Sequence, residues 1–288
     1  MKSNGLVQII MLDNVGKPII VATHPRSGTH LTIDLLRKQF DACQGWLWFG
    51  ETLHHLYLDL DHLAHDCAPC KSIEKAQRLL ERAERPIIKT HSLPSLNRFH
   101  GQKKRFSKAL LKSATIIYVV RDGRDVLCST HVWMKNHHPE ARCSLSRFLR
   151  QQEKGMSRVK QWAHHVDVWQ RQDNVHIIHF EDVRHRPRVV IDQLAEILDL
   201  KPTYERPYLP EKVKRSGRWA AYWRRLTRQF ESTAILGRYN GEKPQDWRTA
   251  FSLEDRRFFH EEAGDKLMEM GYVASDSWVH KEGNTMSV

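Results

Sequence analysis

No stretch of the sequence approaches the roughly 18 consecutive apolar residues of a membrane-spanning helix, because charges or turn residues interrupt every apolar run. Cysteine is scarce: five residues, an odd number, are scattered along 288 positions, which is no disulfide framework and suits a reducing compartment. The apolar run from Leu6 to Leu12 lacks the small-residue cleavage pattern of a signal peptide. No repeat or low-complexity segment is visible. The sequence therefore predicts a cytoplasmic protein without membrane-spanning segments.

Acidic residues are too few to balance the basic ones. The chain has 46 Lys and Arg against 34 Asp and Glu, a formal net charge of +12 with neutral histidines. Such an excess indicates an anionic partner, and nucleic acid, a membrane surface and a phosphorylated cofactor all fit. Hydrophobic residues make up 40% of the chain, enough to bury a large core, which excludes a disordered protein.

Apolar, β-branched runs of strand length alternate with stretches of helical spacing, which is typical of βαβ units on a parallel sheet. Strands are predicted at Pro18–Thr23, Pro86–Thr90, Thr115–Val120 and Val175–Phe180. Helices are predicted at Thr29–Phe40, Ser72–Ala83, Asp125–Lys135, Ser157–Gln172, Pro187–Leu198 and Leu253–Met270. We expect an α/β fold in a single domain over residues 1–275, with irregular insertions near 45–70 and 204–241 and a tail at 276–288.

The first predicted strand runs directly into a glycine-containing loop, His24-Pro-Arg-Ser-Gly-Thr-His-Leu31, after which helical spacing begins. A strand, a tight loop and a helix start point several backbone N–H groups at one anion. A Walker A loop has the pattern G-x-x-x-x-G-K-[ST]. Here Thr23 stands in place of the first Gly, Thr29 in place of the Lys, and His30 in place of the residue whose hydroxyl binds Mg²⁺. The loop thus keeps a phosphate cradle without the parts for Mg²⁺-nucleotide phosphoryl transfer. The alternative is an ordinary strand-to-helix turn.

Three segments, in chain order, resemble motifs of the sulfotransferases that use 3′-phosphoadenylyl sulfate (PAPS). The segment His24 to Leu31 is similar to their 5′-phosphosulfate loop, [YH]-P-[KR]-S-G-T-x-[WL]. Lys89-Thr-His91 resembles the K-T-H segment with the catalytic base, and Tyr118 to Ser129 the 3′-phosphate element Y-V-x-R-[ND]-x-x-D-x-x-x-S. Looser matches are Trp162 to Trp169 with W-x-x-H-V-x-x-W, Phe180-Glu-Asp182 with Y-E-D, and Gly237 to Arg248 with R-K-G…G-D-W. The resemblance covers about Pro18 to Tyr272.

This resemblance implies a three-layer, P-loop NTPase-like sulfotransferase fold with a central parallel sheet flanked by helices. It also implies PAPS as the sulfuryl donor, adenosine 3′,5′-bisphosphate as the product, and no required metal. The implied cofactor-binding residues are Arg26, Ser27, Gly28, Thr29, His30, Leu31, Arg121, Ser129, Phe180 and Arg238. Leu31 stands where relatives often have a Trp beside the adenine, and Trp219 and Tyr222 are candidate substitutes.

Sulfuryl transfer needs a base for the acceptor proton and a cation for the charge that grows on the leaving phosphate. His91 is the candidate base, and Arg26 the candidate electrostatic stabiliser. Lys89, two residues before His91 on a strand, would share its face and add a second positive contact. Arg121 and Ser129 would grip the 3′-phosphate; alternatively, Arg121 forms a structural ion pair with Asp125.

Two further segments have several interpretations. His62, His65, Cys67 and Cys70 form a zinc site, a redox pair of cysteines or a plain loop. The basic and aromatic segment Lys212–Arg228 indicates either a single-stranded nucleic-acid surface or a solvated helix face. Apolar residues within Cys43–Leu60 either line a lipophilic pocket or belong to the core.

We therefore predict a PAPS-dependent sulfotransferase acting on a hydroxyl or amine of a small molecule, glycan or lipid, without a nucleic-acid partner. Neither the acceptor nor the oligomeric state can be read from the sequence. One alternative is a small-molecule kinase that shares the phosphate loop, against which the missing Walker Lys argues. The other is a non-catalytic nucleic-acid-binding protein built on the basic segment.

Overall fold

The structure, a computed structural model, describes residues 12, 14–207, 232–233 and 244–280. Several predicted features lie outside these residues: Lys212–Arg228 with Trp219 and Tyr222, and Arg238. Within the described part of the chain, no helix combines the length and the apolar character that crossing a membrane requires.

A five-stranded sheet has the strand order β2-β3-β1-β4-β7. Its strands are β1 (Ile19–Thr23), β2 (Leu58–Asp59), β3 (Ile87–Thr90), β4 (Thr115–Val120) and β7 (Val175–His179). Every residue of β1, β3 and β4 is buried, as expected for strands covered on both faces. The predicted α/β architecture, a central parallel sheet flanked by helices, is confirmed. A separate antiparallel pair joins β5 (Gln152–Glu153) to β6 (Met156–Ser157).

The register of the sheet brings the ends of two strands to one level. Strand β3 runs parallel to β1, with Ala22 opposite Thr90, so both strands end at the same edge. Strand β2 also runs parallel to β3, with Asp59 opposite Lys89. In α/β sheets, ligands bind at the carboxyl ends of the strands, and this edge is therefore where a site is expected.

The chain divides into two compact units that alternate in sequence, the first of which takes Met1–Ala22, Leu31–Ile117 and Arg188–Thr233. Its helices are α1 (Thr29–Gln39, apart from its first two residues), α2 (Leu60–Ala64), α3 (Ile73–Leu80), α4 (Gly101–Ser113) and α9 (Pro187–Leu198), with 3₁₀ turns at Asp41–Cys43 and Leu53–Leu56. Its core is mostly aliphatic, with Phe40, Phe99 and Phe106 as its largest fully buried side chains.

The second unit takes Thr23–His30, Tyr118–Pro187 and Ala234–Val288. Its helices are α5 (Gly123–His137), α6 (Leu145–Arg150), α7 (Arg158–Gln170), α8 (Phe180–His185), α10 (Trp247–Ala250) and α11 (Leu253–Glu269), with 3₁₀ turns at Pro139–Ala141 and Asp276–Val279. Trp162 and Trp169 of α7 are fully buried in its core. Since no observation tests how many domains these units make, the single domain stays a prediction.

Side-chain caps explain where several helices begin. Asp122 accepts a hydrogen bond from the backbone N–H of Arg124 at the start of α5, and Ser157 accepts one from Lys160 in α7. Ser252 and Asp255 form a reciprocal capping box at the start of α11. Such caps satisfy N–H groups that have no partner within the helix.

Candidate active site

The predicted phosphate loop turns sharply between β1 and α1. Ser27 donates its N–H to the carbonyl of His24 at 3.2 Å, and both Arg26 (φ 71°) and Gly28 (φ 97°) have left-handed backbone. A Cβ at position 28 would lie 2.2 Å from Cδ2 of Phe180. The glycine is therefore required twice, by its backbone angle and by the aromatic ring of α8 packed against it.

Replacing Gly28 with alanine is expected to lower the free energy of unfolding by about 2–6 kcal/mol, since left-handed strain and an overpacked contact each cost about 1–3 kcal/mol. Gly155 provides a matched control in the same unit, because its φ is also positive, at 76°, but nothing lies within 4 Å of its Cβ position. Gly155→Ala should cost only the strain. Urea unfolding of both variants measures the difference. Equal losses would mean that the Phe180 ring moves aside.

A buried hydroxyl of the loop fits an anion. The side chain of Ser27 is 1% exposed, and its Oγ has no hydrogen-bond partner among the described residues. The neighbouring hydroxyls of Thr23 and Thr29 are 2.7 Å apart and bonded to each other. Because an unpartnered buried hydroxyl costs about 1–3 kcal/mol, the loop is suited to a ligand that supplies an oxygen acceptor.

Two guanidinium groups come together beside this loop. Arg121 donates from Nη1 to the carbonyl oxygen of Arg26 at 3.0 Å, and Arg26 donates from Nε to Oγ of Ser129 at 3.2 Å. Burial and the nearby charge of Arg121 lower the pKa of Arg26. Since like charges repel, the presence of both guanidinium groups beside the loop favours a bound anion. The second unit thus brings together four predicted cofactor residues: Arg26, Arg121, Ser129 and Phe180, whose ring centroid lies 4.7 Å from the Arg121 guanidinium.

The alternative role of Arg121, an ion pair with Asp125, is not observed among the described residues. Burial, followed by the neighbouring charge of Asp122, raises the pKa of Asp125, and Arg121 only partly opposes this shift. The role of Arg121 in holding the 3′-phosphate stays a prediction. The remaining predicted loop residues, Thr29, His30 and Leu31, form the first turn of α1, where helical N–H groups lack intrahelical partners.

The structure gives Arg124 a role that its local sequence does not indicate. This side chain is 2% exposed, pairs with Asp122 at 2.6 Å, and lies 3.8 and 4.6 Å from the ring centroids of Trp247 and Trp278. It thereby holds Trp247, part of the segment that resembles the R-K-G…G-D-W motif, onto the helix that carries Ser129. Its Asp-Gly-Arg context gives no signal for this role, because the aromatic partners lie over 100 residues later.

The predicted base and its neighbour belong to the first unit. The backbone N–H of His91 donates to Oδ2 of Asp61 at 2.7 Å, and His91 lies just past the end of β3 at Thr90. Nζ of Lys89 donates to Oδ2 of Asp59 at 2.6 Å, and both residues are buried. The charge of Lys89 is thus paired with a carboxylate within the first unit, and its second positive contact to a ligand stays a prediction.

The remaining sequence interpretations have mixed outcomes. Trp46, Trp48 and Phe49 are 44, 64 and 94% exposed, whereas Leu56 and Tyr57 are buried, so the apolar residues within 43–60 divide between surface and core. Of the four residues interpreted as a zinc site, a redox pair or a plain loop, Cys70 is buried, and burial raises the pKa of its thiol to about 11. In the described ranges, no group of three or more His, Cys, Asp or Glu is arranged to hold a metal ion.

The chain matches a known protein family over most of its length. The family model for the sulfotransferase domain matches residues 17–271. Sulfotransferase 2A6 of Mus musculus is 23% identical over 193 residues, covering 62% of this chain and 58% of that protein. The Rattus norvegicus Sulfotransferase 2A6 is 25% identical over 189 residues, covering 64% and 60%. The chain therefore spans less than two thirds of the length of these curated relatives.

A solved structure shares the fold. Mouse sulfotransferase SULT7A1, crystallised with PAP, superimposes with a TM-score of 0.50 at 16% identity, covering 93% of this chain and 89% of that one. At this identity the likeness concerns the fold alone. The phosphate loop, the paired arginines and the family match over most of the chain lead to one conclusion: the chain belongs to the sulfotransferase domain family.

Proposed function

We propose that this protein transfers the sulfuryl group of PAPS to a hydroxyl or amine acceptor and releases adenosine 3′,5′-bisphosphate. The observation that carries the proposal is the convergence of Arg26, Arg121 and Ser129 beside the loop with the unpartnered hydroxyl of Ser27. This set of donors suits a ligand with two phosphate groups. The PAP in the mouse sulfotransferase crystal is consistent with the same donor class.

The proposed roles follow from the chemistry of each side chain. Bound PAPS supplies an SO₃ group attached to a phosphate oxygen. Ser27 and the N–H groups of the loop hold the phosphate on the 5′ side, and Arg121 with Ser129 holds the 3′-phosphate. Arg26 stabilises the charge that grows on the leaving phosphate, because its guanidinium stays protonated near neutral pH.

His91 is the proposed general base, which accepts the proton of the acceptor hydroxyl or amine. Its backbone is fixed by Asp61, so the imidazole is carried by an anchored segment at the end of a buried strand. Lys89, held at the strand end by Asp59, is proposed to add a second positive contact beside His91. The acceptor itself stays open within hydroxyl- and amine-bearing small molecules, glycans and lipids.

Calorimetric titration with adenosine 3′,5′-bisphosphate tests this function without knowledge of the acceptor. We expect saturable one-to-one binding in the micromolar range or below, unaffected by chelation of divalent cations. Tight binding of ATP that depends on Mg²⁺, with weak binding of the bisphosphate, would instead favour the kinase alternative. Binding of oligonucleotides that falls steeply with salt, and is not displaced by the bisphosphate, would favour the nucleic-acid alternative.

A further inference from the structure

Two carboxylates at the junction of β2 and α2 hold the segment that carries His91. We call Asp59 and Asp61 the acidic clamp. Strand β2 lies parallel to β3 with Asp59 opposite Lys89. Because residues paired in register on adjacent strands face the same side of the sheet, these two side chains can meet. Lys89 donates to Oδ2 of Asp59 at 2.6 Å. Although burial opposes it, the charge of Lys89 lowers the pKa of Asp59.

The second carboxylate engages two consecutive residues. Oδ2 of Asp61 accepts the backbone N–H of His91 at 2.7 Å, and Oδ1 accepts the hydroxyl of Ser92 at 2.6 Å. Both oxygens are therefore committed to the first two residues beyond β3. Hydrogen bonds to a charged acceptor are shorter and about twice as strong as neutral ones. They therefore restrict the movement of His91 and Ser92, which lie beyond the end of the strand.

The two halves of the clamp are joined through the start of α2. Oδ1 of Asp59 caps this helix by accepting the N–H groups of Asp61 at 3.0 Å and His62 at 3.4 Å. Asp59 thus grips Lys89 with one oxygen and the helix turn that bears Asp61 with the other. The result is a closed ring of bonds from Lys89 through Asp59 and Asp61 to His91.

We propose that Asp61 is a positioning residue for His91 and that Asp59 fixes Asp61 in place. This inference rests on the proposed role of His91 as the base. A base must lie within hydrogen-bond reach of the proton that it removes, and a misplacement of about 1 Å can cost about 100-fold in rate. Because the clamp acts through the backbone of His91, its geometry matters more than the charge of Asp61.

Two substitutions separate geometry from charge. Asp61→Ala removes both bonds and is expected to lower kcat about 10- to 100-fold, with little change in KM for PAPS or in affinity for adenosine 3′,5′-bisphosphate. In Asp61→Asn, the amide oxygen can still accept from His91, and the amide NH₂ can donate to the Ser92 hydroxyl. This variant should therefore regain most of kcat. The matched control is Asp66→Asn, which removes the exposed carboxylate paired with Lys103 in the same unit.

The assay uses radiolabelled PAPS with the best acceptor from a panel of phenols, alcohols and amines. Hydrogen exchange at the His91 amide provides a readout independent of turnover and should accelerate in Asp61→Ala but not in Asp66→Asn. If Asp61→Ala does not fold, Ser92→Ala removes one bond of the clamp, and we expect it to lower kcat by a smaller factor.

Three results would overturn the inference: kcat within twofold of the unaltered protein in Asp61→Ala, unchanged exchange at His91, or equal damage in Asp61→Asn and Asp61→Ala. The last result would mean that the charge of Asp61 matters rather than its bonds. Failure of the proposed function would look different, because the unaltered protein would then not bind the bisphosphate, and exchange at His91 would still report on the clamp.

Discussion

Substituting His91 with alanine is expected to reduce sulfuryl transfer by about 100- to 10,000-fold, the contribution typical of a general base. Affinity for adenosine 3′,5′-bisphosphate should change little, because the predicted phosphate contacts come from the loop, Arg121 and Ser129. The backbone bond from His91 to Asp61 does not depend on the imidazole and should persist. Steady-state kinetics with radiolabelled PAPS, paired with calorimetry of the bisphosphate, measures both quantities.

His65 offers a matched control, since it is an exposed histidine at the end of α2 in the same unit. His65→Ala should retain the rate of the unaltered protein. Full activity of His91→Ala would remove the histidine from the proposed mechanism.

Substituting Arg26 with alanine is expected to lower the rate by about 100- to 1,000-fold, as removal of one electrostatic stabiliser does elsewhere, and to weaken bisphosphate binding. Arg26→Lys keeps the charge and should retain part of the activity, because a lysine occupies the same place in the family pattern. Arg26→Lys should still be less active than the unaltered protein, since lysine cannot reproduce the Nε bond to Ser129. Kinetics and calorimetry at one fixed salt concentration compare the variants.

The left-handed backbone at Arg26 requires a second comparison. Arg26→Gly relieves the strain that Arg26→Ala keeps, so equal losses in the two variants assign the effect to the guanidinium. Arg171, an exposed arginine of the same unit, supplies the control Arg171→Ala, which should leave rate and affinity unchanged. Unchanged transfer in Arg26→Ala would contradict the assigned role.

Long, strongly patterned elements could be predicted from the sequence. Strand β4 matches its predicted bounds of Thr115–Val120, and α9 matches Pro187–Leu198, because apolar composition and the position of Pro187 mark them locally. Strand β2 was missed because Leu58–Asp59 has only two residues, too few to show any periodicity. Helix α4 was missed because basic residues interrupt its apolar spacing.

The candidate site could be predicted only as far as its motifs extend. The loop around Gly28 and the residues Arg121 and Ser129 carry signals in their own segments. Their partners do not: nothing in the local sequence of Asp59 indicates that it neutralises Lys89, because this contact depends on the register of two strands. Pairings of this kind are tertiary facts, which local propensity does not encode.

During synthesis, the phosphate loop gains its hydrogen-bond partners only after much more of the chain has been made. Arg121 and Ser129, which are hydrogen-bonded to Arg26, lie 95 and 103 residues further along the sequence. At a synthesis rate of about 5–20 residues per second, the loop waits several seconds for them. For part of that time the apolar stretch Ile19–Ala22, fully buried in the finished protein, also lacks its sheet neighbour β3, which comes later in the chain. We therefore expect a chaperone that shields apolar segments during synthesis to bind this stretch, which leads directly into the loop.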